Sequence, residues 1–330
     1  MFESEDIKFY FSVSFVPVGI FSNMLAFYIF QRKNLNHKSV FGELYSWLCC
    51  FNILTLLYKF ITALLGYYEI DIVSISSFTC KTFFGFQNFI NHLPSFQMIL
   101  IAYYLYVSIC SHKKRDLVHK YKNFFIFGNI IFVFLINCLY IVYERRPIYM
   151  EFSNISSNFS SQIYECNIQY VADFIFDMVN LSMRNFIPFI AIFILNYLSM
   201  RGYYKSKNQV NHQHHHKPHQ YKRNIFLYSI FGANLMFLAI YLPWSIIFCI
   251  YQVYHSFMKE ELGENRESFE IIISVFESIA YLNNMSTFFI NLAVNSLFRR
   301  ELFLLFHLTK NKLRLSDSSS STSNTTNSNI

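Results

Sequence analysis

Seven apolar runs, each of about twenty residues or more, dominate the sequence and limit what the chain can fold into. They cover Phe9–Phe30, Val40–Tyr67, Phe78–Ile109, Asn123–Tyr143, Val171–Met200, Asn224–Tyr254 and Phe269–Leu297. A helix needs about 20 apolar residues to cross the hydrocarbon core of a bilayer. Only 14% of the 330 residues are charged, whereas about a quarter is usual in soluble domains. The pattern therefore predicts an all-α, multi-pass membrane protein.

Basic residues concentrate in alternate linkers. The linkers after the first, third and fifth runs contain RKNLNHK, HKKRDLVHKYK and a long basic stretch between Arg201 and Arg223, whereas the N-terminus and the remaining linkers are acidic or near neutral. Because an excess of Lys and Arg marks the cytoplasmic side, we expect the N-terminus outside the cell and the C-terminus inside. The net charge of +7 then faces anionic lipid, and no nucleic-acid partner is needed to account for it.

The linker between the fourth and fifth runs agrees with this orientation. Asn154 and Asn158 begin the glycosylation sequons NIS and NFS there, although sequons also arise by chance in a chain rich in Asn and Ser. Cys166 lies in the same linker, and Cys80 stands at the predicted outer end of the third run. Both cysteines would lie in an oxidising compartment, where a disulfide is favoured, with two unpaired thiols as the alternative.

This frame resembles that of the rhodopsin-like (class A) G-protein-coupled receptors over approximately residues 9–308. Helix landmarks that match the family are Asn23, Pro188 in RNFIPFIAIFILN, Phe237 and Pro243 in FLAIYLP, and LFRREL after the seventh run. Helix five and the Asn-rich, proline-lacking end of helix seven most resemble invertebrate FMRFamide-type neuropeptide receptors. The resemblance implies an extracellular N-terminus (1–8), a seven-transmembrane helix bundle (9–297), a short amphipathic eighth helix (298–309) and a disordered Ser/Thr/Asn-rich cytoplasmic tail (310–330).

The charged parts of that family's internal switch are missing. Positions where the family carries its switch and hinge residues read Asn52, Tyr104, Leu105, Tyr106, Tyr241, Thr287 and Asn291 here, with only the tyrosine of Asp-Arg-Tyr kept. Pro188 and Pro243 still interrupt helix hydrogen bonding and are predicted hinge points. The resemblance implies a receptor scaffold with an altered switch. A divergent chemoreceptor, or a receptor-like protein that couples weakly, is the alternative.

A ligand pocket is predicted in the outer halves of the helices. Its residues are Lys59, Gln87, Arg184, Tyr241 and Glu277. Gln87 stands where amine receptors of the family hold an aspartate, so a peptide or another polar ligand is implied. A carboxylate facing lipid costs about 2–3 kcal/mol, so we expect Glu277 to face the interior. Its partner is either Lys59, in a permanent pair, or a cationic group of the ligand.

Other function classes are less favoured. No set of ionisable residues near one membrane face suggests an enzyme, and no cofactor is implied. The His-rich stretch Val210–Gln220 lacks Cys or acidic partners at a spacing typical of a metal site. No internal repeat indicates a transporter. The partners implied are an extracellular ligand, a heterotrimeric G protein, the lipid of the plasma membrane and an arrestin that binds a phosphorylated tail, with an unmodified tail as the alternative.

Overall fold

The described part of the chain consists mainly of long helices. The computed structural model describes residues 4–32, 40–73, 75–110, 118, 120–138, 144–148, 163–167, 170–210, 218–257 and 266–307. Its helices are α1 (Ser4–Gln31), α2 (Val40–Tyr67), α3 (Ser77–Cys110), α4 (Lys122–Asn137), α5 (Tyr170–Leu181), α6 (Ile187–Val210), α7 (Pro218–Phe257) and α8 (Arg266–Val294). Residues 296–307 form a last helix, α9. One π-helical turn, Ser182–Phe186, connects α5 to α6. The predicted helical character is confirmed.

Five helical stretches of the described residues are long and apolar enough to cross a membrane. They are α1, Phe41–Tyr67 of α2, α3, the stretch Phe174–Lys205 across α5 and α6, and Ile230–Tyr254 within α7. The predicted fourth run reaches only 16 residues as α4, and residues 139–143 lie outside the described part. The predicted seventh run forms α8, which is 29 residues long and contains the polar residues Glu277, Asn283 and Asn284. It is not among the five stretches.

The bundle carries apolar side chains outside and many polar side chains inside. Phe21, Phe124 and Phe193 are 62–74% exposed. The buried polar side chains include Asn23, Asn52, Asn91, His92, Gln97, Asn291 and Asn295. Large contiguous apolar surfaces are rare on soluble monomers, whereas lipid accommodates them. This distribution, together with the helix lengths, is compatible with a multi-pass membrane protein.

The helix α3 lies in the middle of the bundle and contacts α2, α4 and α6. It is the most deeply buried of the five membrane-length stretches. α1 packs against both α2 and α8, and α8 packs against α7. We refer to the end of the bundle where α3 begins as the Cys80 end, and to the end where α3 finishes, near α9, as the Cys110 end.

A β-hairpin that the sequence did not predict follows α4 in the otherwise helical fold. Strand β1 (Glu144–Ile148) pairs antiparallel with β2 (Ile163–Asn167), in a register that places Arg145 opposite Cys166. β1 also contacts α3. The sequence ERRPI gave no strand signal, because charged residues and proline are unusual in strands. The predicted glycosylation residues Asn154 and Asn158 lie outside the described residues.

Two helix boundaries differ from the predicted ones. α1 begins at Ser4, so the second half of the predicted N-terminal segment is helical. At the other end, Asn295 separates α8 from α9, and its Oδ1 accepts hydrogen bonds from the backbone N–H groups of Leu297 and Phe298, each at 3.1 Å. An asparagine in this position caps a helix N-terminus, so α9 begins two residues before the predicted residue 298. The predicted tail, 310–330, lies outside the described residues.

Candidate functional site

An ion pair between α2 and α8 occupies the Cys80 half of the bundle. Lys59 Nζ lies 3.0 Å from Glu277 Oε1, with side-chain exposures of 12% and 24%. The Tyr281 hydroxyl donates to the same carboxylate oxygen at 2.9 Å, and the Lys59 ammonium lies 4.7 Å from the centre of the Tyr281 ring. Glu277 therefore faces the interior and has Lys59 as its partner. A ligand contact for Glu277 stays a prediction.

Two cavities adjoin this pair. The larger has a volume of about 330 Å³ and includes Lys8, Thr62 and Asp71 in its wall. The smaller has a volume of about 180 Å³ and lies between α3, α5 and α7. Lys59, Gln87 and Glu277 line both cavities. Three of the five predicted pocket residues therefore stand where the cavities meet, and Arg184, a fourth, lines the smaller one.

Arg184 is held by aromatic rings. It is 6% exposed, and its guanidinium carbon lies 5.0 Å from the ring centre of Trp244, 5.5 Å from that of Tyr241 and 5.7 Å from that of Tyr281. These are cation–π distances. Tyr241, the fifth predicted pocket residue, thus contacts Arg184. Among the described residues, no carboxylate lies within ion-pairing distance of Arg184, and its Nε has no hydrogen-bond partner.

The π-helical turn gives Arg184 its inward position. Pro188 has no backbone N–H and therefore leaves one carbonyl of the preceding turn without its usual partner. The chain accommodates this with a wider turn, in which the Ile187 N–H donates to the Ser182 carbonyl. Arg184 and Asn185 both become buried, and Asn185 Nδ2 donates to Ser245 Oγ on α7 at 2.9 Å. The predicted hinge at Pro188 therefore lies directly after a turn that connects α5 to α6 and is hydrogen-bonded to α7.

The second predicted hinge, Pro243, lies inside α7 with its ring on the exposed side of the helix. Ser245 Oγ donates to the carbonyl of Tyr241 at 2.7 Å. One turn earlier, the Phe237 ring packs against Tyr241 with 4.8 Å between ring centres. The inner face of α7 at this level is therefore aromatic and continues to Arg184.

A chain of amides runs from the middle of the bundle toward the Cys110 end. Asn23 Nδ2 donates to the carbonyl of Asn284 at 2.9 Å, and Asn52 Nδ2 lies 3.3 Å from both Asn23 Oδ1 and Thr287 Oγ1. Asn291 Nδ2 donates to the Thr287 carbonyl at 2.8 Å. Four predicted switch positions, Asn23, Asn52, Thr287 and Asn291, therefore form one buried network of neutral groups across α1, α2 and α8.

We expect Asn52→Leu to destabilise the protein by about 1–2 kcal/mol, because it leaves the buried Asn23 Oδ1 without its donor. The apparent melting temperature of the purified protein measures this loss. Asn283→Leu is the matched control, since its side chain donates no hydrogen bond to any described residue. Equal shifts in the two variants would show that the network adds no stability.

The remaining predicted switch residues lie near the Cys110 end of α3. Leu105 is completely buried, and Tyr104 is 5% exposed. The Tyr104 ring packs edge-on against Phe41 with 4.9 Å between ring centres, while Tyr106 is half-buried. These residues belong to the largest apolar core of the bundle. A packed apolar contact therefore occupies the place where the family resemblance implies a charged pair.

Cys80 lies just inside the start of α3, which a capping box defines. Ser76 Oγ accepts from the Thr79 N–H at 3.1 Å, and Thr79 Oγ1 accepts from the Ser76 N–H at 3.0 Å. Cys80 is disulfide-bonded, and the free cysteines are Cys49, Cys50, Cys110, Cys138 and Cys249. The side chain of Cys166 is not among those described, so its pairing with Cys80 stays a prediction.

Sequence reasoning missed three residues of this region. Trp244 and Tyr281 were not predicted, although each lies one helical turn from a predicted pocket residue, Tyr241 and Glu277, and so falls on the same helix face. The sequence also left His92 isolated, whereas it lies between two amides: its Nε2 is 2.8 Å from Asn180 Oδ1 and its Nδ1 is 3.1 Å from Asn137 Nδ2. No sequence spacing connects His92 with Asn137 and Asn180, so this contact could not be predicted.

No protein family model matches the chain, and no curated protein matches it significantly. Its function is therefore inferred from the sequence and from the site.

Proposed function

We propose that this chain is a seven-helix receptor of the rhodopsin-like type that binds an extracellular ligand, a peptide or another polar molecule, and signals to a heterotrimeric G protein. The observation that carries the proposal is the pair of cavities that adjoin Lys59, Gln87 and Glu277. Cavities with a few convergent polar groups are the usual sites of small ligands and peptide ends. Residues of α2, α3 and α8 meet there.

Seven spans require α4 and α8 in addition to the five membrane-length stretches. The polar side chains of α8 support this role, because Asn284, Thr287 and Asn291 are buried and leave apolar residues such as Phe289 and Val294 exposed. Polar residues inside a membrane bundle commonly face its interior. α4, Lys122–Asn137, is apolar along most of its length and covers most of the predicted fourth run.

In this proposal the Cys80 end is extracellular and the Cys110 end is cytoplasmic, as the distribution of Lys and Arg predicts. The ligand enters at the Cys80 end, where β1 lies against α3. The G protein engages the basic loops at the Cys110 end, and an arrestin engages the phosphorylated tail. The receptor resides in the plasma membrane.

The helix α8 offers a physical route between the two ends. It carries Glu277 beside both cavities and, four turns further on, Asn291 in the amide network. A ligand that alters the contact between Lys59 and Glu277 would change how α8 sits against α2. The hydrogen bonds of Asn52 to Asn23 and Thr287 would carry that change toward the Cys110 end.

A weakly coupling, receptor-like protein is the second candidate. The observation that favours it is the complete burial of Leu105 in an apolar core. The charged pair that the family resemblance implies at this place is replaced by packing contacts, which have to separate before this end of the bundle opens. Ligand binding and G-protein activation would then be only loosely connected.

The test uses cells that express the full chain with an N-terminal epitope tag. We expect the tag to be labelled on intact cells, and a member of a neuropeptide library to evoke a calcium or cyclic AMP response that is absent from untransfected cells. A tag that is reached only after permeabilisation would contradict the orientation. A peptide that binds these cells without any second-messenger response would favour the second candidate.

Replacing Cys80 or Cys166 by Ala is expected to reduce surface expression to a similar extent, and the double replacement should add little further loss. Losing a native disulfide costs about 2–5 kcal/mol, and both single variants would break the same bond. Surface labelling by flow cytometry measures the effect. Cys138→Ala, which removes a free and exposed thiol, is the control. Additive losses would show that Cys80 and Cys166 do not share a bond.

A further inference from the structure

We infer that the smaller cavity binds a carboxylate flanked by an amide N–H, with Arg184 as the residue that holds it. This inference rests on the proposed function of the cavities as a ligand site. The carboxylate is the C-terminal group of a peptide or that of a free N-acylated amino acid. Both sources present the same chemistry to the cavity.

Among the described residues, no carboxylate lies within ion-pairing distance of the Arg184 guanidinium. Burying a guanidinium is costly unless hydrogen bonds and an opposite charge compensate it. The three aromatic rings around Arg184 fix its position and stabilise its charge in part, but they leave its Nε unpartnered. A guanidinium fixed in this way is suited to a carboxylate, which it binds through two parallel hydrogen bonds.

A second unpaired donor lies beside it. Trp244 Nε1 is buried without a hydrogen-bond partner, and Trp244 lines the same cavity as Arg184. The Arg184 guanidinium carbon is 5.0 Å from the Trp244 ring centre. Buried donors without partners are rare in folded proteins, and each costs free energy. An acceptor group bound in this cavity would satisfy both donors.

The cavity also offers an unpaired acceptor. Asn91 Oδ1 is buried without a partner and lines the cavity from α3. An N–H next to the carboxylate, as in the last residue of a peptide, would satisfy it. Phe84, Leu181 and Phe248 form apolar parts of the wall, which also contains Asn88 and Asn180. The apolar parts would accommodate an apolar side chain on that residue.

The acidic residues of the cavity are already engaged. Asp177 accepts a hydrogen bond from Gln252 Nε2 at 2.6 Å, and Glu277 is bound by Lys59 and Tyr281. Lys59 is in turn neutralised by Glu277. Two cationic side chains line this cavity, Lys59 and Arg184. Of these, Arg184 has no carboxylate at contact distance among the described residues.

The binding test uses the purified full chain and two matched probes, N-acetyl-L-phenylalanine and N-acetyl-L-phenylalaninamide. The chain has two tryptophans, so Trp47→Phe leaves Trp244 as the fluorescent reporter inside the cavity. We expect the carboxylate probe to quench Trp244 at a concentration at least tenfold lower than the amide probe. In Arg184→Gln the difference should fall below twofold, whereas Arg201→Gln, at an exposed arginine, should keep it.

Three outcomes would overturn the inference: equal quenching of the Trp47→Phe protein by both probes, no quenching by either, or a tenfold preference that survives in Arg184→Gln. If Arg184→Gln does not unfold cooperatively, Arg184→Lys replaces it. An ammonium keeps the charge but loses the two-bond geometry, so the preference should drop at least threefold, and an unchanged preference would count against Arg184.

The source of the carboxylate is decided by a longer probe. An N-acetylated tetrapeptide that ends in phenylalanine with a free carboxylate binds more tightly than N-acetyl-L-phenylalanine if the ligand is a peptide, and no more tightly if it is a free N-acylated amino acid. Either result retains the carboxylate site. The measurement needs no signalling, so a chain that binds the probes but activates no G protein would refute only the receptor proposal.

Discussion

Replacing Glu277 by Gln is expected to lower the stability of the protein by about 3 kcal/mol, or about 6 °C in the apparent melting temperature. The substitution leaves the Lys59 ammonium, whose side chain is 12% exposed, without a carboxylate. Removing one partner of a buried pair costs more than removing both, because the remaining charge is uncompensated. The effect is measured by thermal unfolding of the purified protein and by surface expression.

The double variant Lys59→Met with Glu277→Gln is expected to recover most of this loss. Glu5→Gln is the matched control, because the Lys8–Glu5 pair has a similar contact distance, 2.6 Å, but side-chain exposures of 34% and 41%. Exposed pairs contribute about 1 kcal/mol or less.

Once an agonist is known, the double variant also separates two roles of the Lys59–Glu277 pair. Normal expression with unchanged potency indicates a permanent structural pair, whereas lost potency indicates that Lys59 or Glu277 contacts the ligand. A Glu277→Gln protein as stable as the native one would show that the pair contributes nothing.

Leu105→Arg alone is expected to destabilise the protein by about 3 kcal/mol or more, because Leu105 is fully buried among apolar residues and a guanidinium there has no partner. Adding Tyr104→Asp supplies a carboxylate next to it and should restore part of the stability. The pair should also increase agonist-driven nucleotide exchange on the G protein above that of the native chain, since it recreates the charged residues that the family resemblance implies. Thermal unfolding and an exchange assay measure the two effects.

Leu105→Met is the control for this series, because a volume-conserving apolar change usually costs less than about 1.5 kcal/mol. If Leu105→Arg is as stable as Leu105→Met, the guanidinium has reached solvent or lipid headgroups and the core here is open. If the native chain already drives robust exchange, contacts other than a charged pair activate the G protein. That result would contradict the second candidate function, a receptor-like protein that couples weakly to the G protein.

The helices were predictable because apolar runs of about twenty residues have few alternatives to a membrane helix. The inward orientation of Glu277 followed from the cost of a carboxylate in lipid. Its partner Lys59, on a helix more than 200 positions away in the chain, was predictable as one of two alternatives because so few charges lie in the apolar runs. The same scarcity makes Arg184 conspicuous in the sequence.

Several details of the structure were not predictable from the sequence. The ERRPI strand runs against residue propensities and depends on its partner in the hairpin. The position of Trp244 beside Arg184 depends on how α7 packs against α5 and α6, which no local pattern encodes. The amide network was predicted only as separate positions, because hydrogen bonds between Asn23, Asn52 and Thr287 connect residues that are distant in sequence.

The π-helical turn at Ser182–Phe186 affects how this sequence is aligned with the sequences of other helical proteins. Such a turn holds one residue more than an α-helical turn, and each residue of an α-helix advances by about 100°. Deleting one residue there, for example Met183, would rotate everything upstream by that angle and move Asp177 to a different side of its helix. Aligning this chain without a gap to an uninterrupted helix would therefore misassign the exposed side of α5. A one-residue gap in the other sequence at this point brings the two helices into phase.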